Sequence, residues 1–141
     1  MLTHRFPLLR VVPFAVLLGG CQSSLEPGDI LTGQWASDVV SLKADAKGVT
    51  LNPGCGYAVF PAVTLDATRS FVVESTSYAS SGVLSLNIAQ PNGIQIRLSG
   101  NVAGAHLDLT ITYIHPPNPD IVMPPVTLVR GGHPYDRACP A

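Results

Sequence analysis

The chain has 141 residues, 46% of them hydrophobic and 12% charged, with eight basic and nine acidic side chains and a formal charge of −1. That is enough chain for one domain with a sizeable core. No cluster of Lys or Arg stands anywhere, which argues against a nucleic-acid partner or an electrostatic patch for anionic lipid.

The N-terminus carries a targeting pattern. Arg5 and Arg10 supply a positive region, and Val11 to Leu18 form a short apolar stretch broken by Pro13. A bilayer-spanning helix needs about twenty consecutive apolar residues, and Arg10 and Pro13 leave no such run. Residues 1–20 therefore read as a signal peptide, not a permanent anchor. The segment ends in Leu17-Leu18-Gly19-Gly20-Cys21, which resembles the lipobox of bacterial lipoproteins. The resemblance implies a diacylglyceryl group on the Cys21 thiol, as a palmitate-type membrane anchor, and cleavage just before it. An ordinary secretory signal would need a small-x-small cut site elsewhere, and that pattern is missing.

Several consequences follow from Cys21. Without Arg5 and Arg10, six basic residues face nine acidic ones, a charge of −3. Attachment must then come from the lipid: each buried methylene contributes ~0.8 kcal/mol, and stable anchoring takes about two chains, which a diacylglyceryl group has. In enterobacterial lipoproteins an aspartate after the cysteine favours the inner membrane. Gln22 stands there instead, so the same resemblance implies the periplasmic face of the outer membrane in a host with two membranes.

With Cys21 lipidated, Cys55 and Cys139 remain. An even remainder in an exported chain reads as one disulfide, and closing a loop near this size is worth about 4–5 kcal/mol. The alternative is two free thiols in an oxidising periplasm. No metal site is expected, because neither cysteine has a second Cys or His at ligand spacing. No cofactor motif is present either.

Residues 21–30 read as a lipidated tether, since Gln22 to Asp29 are polar, contain Pro27 and Gly28, and lack an apolar period. Residues 31–141 read as one β domain. Val40 and Leu42 alternate with Ser41 and Lys43, and Asp45-Ala46-Lys47-Gly48 turns the chain into Val49, Thr50 and Leu51, a hairpin signal. Val59 to Leu65 form a further run, in which Pro61 suggests an edge strand or bulge. Asp66 to Arg69 lead into Phe71, Val72 and Val73. Leu84, Leu86 and Ile88 pair across Pro91-Asn92-Gly93 with Ile94, Ile96 and Leu98.

After Ala103-Gly104-Ala105, His106 to Ile114 alternate cleanly, with Leu107, Leu109, Ile111 and Tyr113 on one face. His115 to Asp120 form a proline-stiffened loop, and Val126 to Arg130 a last strand. Seven to nine short strands without an amphipathic helix predict an all-β fold. Short connections favour a small antiparallel up-and-down barrel of about eight strands, with a β-sandwich as the alternative.

Gly33-Gln34-Trp35 resembles the Gly-x-Trp start of lipocalins and other calycin-like barrels. That implies Trp35 as a barrel plug at the first strand; a plain core aromatic is the alternative. The chain departs from lipocalins in being short, in lacking their early 3₁₀ turn pattern, and in having no helix before the last strand. From Gly33 through Asn52 and Cys55 to Val129-Arg130-Gly131 and Cys139 the domain resembles small bacterial lipoproteins of unassigned function, which implies a β-barrel but transfers no functional residue. Lysozyme-inhibitor lipoproteins share the anchor and small barrel, but their inhibitory loop motifs are not matched.

No catalytic constellation is legible. His106, His115 and His133 are each alone in their segments. Asp108 shares a strand face with His106 and could orient its imidazole, but no nucleophile is placed beside them. Ser80-Ser81-Gly82 lacks the strand-to-helix context of a nucleophile elbow. The expectation is a non-enzymatic binding or interaction domain in the cell envelope. It would carry a small apolar ligand in the barrel mouth, or contact an envelope protein, as an interaction or inhibitor module, through the proline loop from His115 to Pro125.

Overall fold

The computed structural model describes residues 24–53, 56–75, 77–80, 95–114 and 116–133. They form a nearly closed antiparallel barrel with no helix among the described residues. Accordingly, no helix there is long and apolar enough to cross a membrane. The strands are β1 (Gly33–Ala36), β2 (Ser41–Asp45), β3 (Gly48–Asn52), β4 (Gly56–Phe60), β5 (Ser70–Glu74), β6 (Ser77–Ser80), β7 (Gln95–Ala103), β8 (His106–Ile114), β9 (Ile121–Val122) and β10 (Val126–Arg130).

The sheet order is β5-β7-β8-β10-β1-β2-β3-β4-β6, with β9 on β8. Its two outermost strands, β5 and β6, are neighbours in sequence, separated only by residues 75 and 76. One stave therefore pairs first with β7 and then with β4, and this switch of partner brings the two edges of the sheet together. Ser75 keeps hold of β7 at the switch: its N–H donates to Ile96 O at 2.7 Å, and its hydroxyl accepts from Ile96 N at 2.8 Å. Counted this way the barrel has eight staves in an up-and-down meander. A single curved sheet, and not a sandwich, is the result.

Alternation explains the inside. Leu42 and Ala44, Val49 and Leu51, Ile96, Leu98 and Val102, and Leu107, Leu109 and Ile111 point inward with Trp35, Phe60 and Leu128. No polar or charged residue among those described is buried. Burial of such side chains contributes roughly 1.5–3 kcal/mol each before chain entropy is subtracted.

The Asp45–Gly48 turn forms as predicted, with Asp45 Oδ1 accepting from Lys47 N at 2.8 Å and Gly48 N at 3.2 Å. The run from Val59 to Leu65 is not one strand. β4 ends at Phe60, directly before Pro61, and Val63 and Leu65 instead turn inward to cap the core. Their backbone partners come from the segment read as a tether: Leu31 N donates to Val63 O, Leu65 N to Asp29 O, and Gly28 N to Leu65 O, all within 2.9 Å. Leu25 is buried, and Glu26 pairs with Arg69 at 3.0 Å. Where it is described, from Ser24 on, this segment lies against the barrel. Of the hairpin across Pro91-Asn92-Gly93, residues 81–94 lie outside the described residues.

Strand direction defines two ends. The lower end carries the 46–47 turn, the 61–69 connection, the Gly104-Ala105 turn and the Leu25–Ile30 segment. The upper end carries residues 37–40, Pro53 and residues 116–125.

Candidate functional site

Among neighbouring staves, the fewest residue pairs join the last strand to the first. β1 and β10 pair only at Trp35↔Arg130 and Ala36↔Val129, so the upper end of β1 meets the lower end of β10. Above that seam, residues 121–126 continue along β8 through Tyr113↔Ile121 and Thr112↔Val122, a bond from Met123 N to Ile111 O at 2.9 Å, and Leu109↔Val126. No described strand pairs with the other edge of this stretch.

The gap so left is a cleft of about 380 Å³, at the small end of the roughly 300–1,000 Å³ typical of ligand pockets. Val39, Val40 and Pro53 line one side, Met123, Pro124, Pro125 and Val126 the other, and Ile111 and Tyr113 the floor. None of these nine side chains is charged at neutral pH. Val39 and Val40 are set by a serine turn: the Ser37 hydroxyl accepts from Val39 N at 3.2 Å and Val40 N at 3.1 Å, while Ser37 N donates to Val40 O at 2.8 Å. Pro124 and Pro125 have no N–H, so they cap this edge of the wall without offering donors.

The rim is apolar as well. Val122 is 62% exposed, Val39 55%, Ile121 52% and Met123 41%, and Pro116, Pro117 and Pro119 are exposed beside them. Grouped exposure of this kind marks a contact surface more often than scattered single residues do. Arg97 tethers the loop loosely, with Nη1 3.9 Å from Asp120 while Nη2 lies 2.8 Å from Glu74. Exposed pairs of this type contribute only ~0–1 kcal/mol.

Trp35 is fully buried at the foot of the seam, its Nε1 donating to Thr32 O at 3.2 Å. The spacing Gly33-Gln34-Trp35 has a local cause. Gly33 has φ +109°, and a Cβ there would stand 3.1 Å from Nε of Arg130, the side chain that stacks on Trp35.

The other sequence candidates are not brought together. Cys21, Cys55 and Cys139 lie outside the described residues, as do His115, Ser81 and Gly82. His106 and His133 are exposed. Asp108 accepts a 2.6 Å hydrogen bond from the hydroxyl of Thr127, its cross-strand partner. Among the described residues no three His, Cys, Asp or Glu side chains converge.

The sequence pointed to the proline loop and to an apolar ligand in the barrel mouth, but not to the set of residues that lines the cleft. Period-two alternation places Ile111 and Val40 inside; it carries no information on the stagger that opens the wall between them. Set against protein-family models, curated proteins and solved structures, this chain matches none.

Proposed function

We propose that this protein is a lipoprotein of the outer membrane, anchored at the periplasmic face through Cys21 and closed by a Cys55–Cys139 disulfide, whose lipocalin-like barrel is a non-catalytic binding module. The observation that supports a binding role is the uncharged cleft walled by Val40, Ile111, Tyr113 and Met123. Its chemistry suits one small apolar ligand or an apolar group of a larger one: it offers apolar surface to desolvate, with the Tyr113 phenol as the polar side chain among its lining residues.

The test is binding of the apolar dye N-phenyl-1-naphthylamine to the purified full chain, with native mass spectrometry for co-purifying ligand. Met123→Asp places a charge on the cleft and should weaken dye binding about tenfold, since burying an unpaired carboxylate is strongly unfavourable. Val72→Asp, on an exposed position outside the cleft, should leave it unchanged. Equal binding by all three proteins would remove the cleft from the function.

A second reading, contact with an envelope protein, is favoured by the exposed Ile121, Val122 and Pro116 to Pro119 beside the cleft. It expects replacement of Pro116, Pro117 and Pro119 by Gly to abolish partner capture while the melting temperature holds.

A further inference from the structure

We infer that the barrel stands with its lower end toward the bilayer and its cleft directed away, so that the cleft takes its occupant from the aqueous side. This rests on the lipidation of Cys21 proposed above. Leu25 is buried against the lower end, and its neighbours are fixed there by the Glu26–Arg69 pair and the backbone bonds of Gly28 and Leu31 to Leu65 and Val63.

Only four peptide units separate Leu25 from Cys21. At ~3.6 Å each, the acylated residue lies within ~14 Å of Leu25. The nine-residue β7 and β8 span ~30 Å along the strand, or ~23 Å along the axis at a barrel tilt near 40°. The tether is therefore too short to carry the anchor to the upper end.

Two consequences distinguish this arrangement from a barrel lying mouth-down on the lipid. The protein's own acyl chains are at the end opposite to Met123 and Val39 and do not fill the cleft. A ligand does not slide into the cleft from the bilayer; it arrives from the water between the membranes, free or as an apolar group on a soluble carrier.

The experiment uses the full chain, lipidated in a bacterial host and reconstituted into phosphatidylcholine vesicles carrying a dansyl headgroup acceptor. Tryptophan is introduced at the lower end by Ala67→Trp and at the upper end by Asn118→Trp, both exposed positions, with the wild-type Trp35 signal subtracted. With ends ~23 Å apart, energy transfer from Ala67→Trp should exceed that from Asn118→Trp by about twofold or more. Equal transfer, or more from Asn118→Trp, overturns the orientation while leaving the anchor intact. Protein that carries no added lipid mass and does not float with the vesicles overturns the anchor, and the orientation with it.

Discussion

The guanidinium of Arg130 lies 5.5 Å from the centroid of the Trp35 ring, and the two residues face each other across the β1–β10 ladder. A cation held over an indole contributes ~0.5–1 kcal/mol when exposed and about 2 kcal/mol when desolvated. Arg130 is half-buried over the indole, so truncating it removes stem packing as well as charge. Arg130→Ala should lower stability by about 1–2 kcal/mol, read as a fall in the urea midpoint. Arg130→Met should recover the packing part alone, and an unchanged midpoint in both would show the stacking to be idle.

Gly100 faces Phe71 across β5 and β7. A Cβ at Gly100 would fall 2.7 Å from the Phe71 ring, whose side chain is buried. Gly100→Ala should therefore destabilise by about 1–3 kcal/mol through overpacking. Combining it with Phe71→Leu should restore much of that loss, whereas additive losses in the double variant would place the strain elsewhere.

Asp66 holds the 66–70 turn. Its carboxyl lies below the ordinary range because the Thr68 hydroxyl donates to it, as do the backbone N–H groups of Ser70 and Thr68. A depressed folded-state pKa gives stability that is complete above the unfolded value and is lost as pH falls through the folded one. Thr68→Val should move the Asp66 carbon titration upward in an NMR pH series. Asp66→Asn should flatten the acid limb of stability against pH, and an unaltered limb would assign it to other carboxylates.

For the cysteines, the intact mature chain should weigh about two mass units less than its dithiol form, because a disulfide forms with loss of two hydrogens. Cys55→Ser and Cys139→Ser should each lower stability by a similar amount, up to about 4–5 kcal/mol. Two free thiols titrated in the oxidised protein would end the pairing.

Much of the wall was legible in the sequence because burial on one face imposes alternation. His106–Ile114 and Val126–Arg130 form strands with the bounds that their patterns indicate, and Asp45 to Gly48 turn as Asp and Gly favour. Val59 to Leu65 misled because apolar content alone does not distinguish a strand from a cap; Pro61 ends the ladder, and Val63 and Leu65 serve the lower end instead. Ile121 and Val122 were hidden in a proline-rich stretch too short to show a period. Trp35 stands out by composition, but its pairing with Arg130 depends on a register across most of the chain.

The short ladder between β1 and β10 also sets where the wall yields. Two residue pairs hold that seam, against nine between β7 and β8, and beyond it the Gly131 amide reaches Gln34 O at 2.7 Å. Local opening favours the stretch with the fewest backbone bonds to break. Deuterium should enter the Gly131 amide well before the amides of β7 and β8, and the transient gap would widen next to Val126 and Val40. The barrel would then breathe on its cleft side while the β7–β8 wall stays shut.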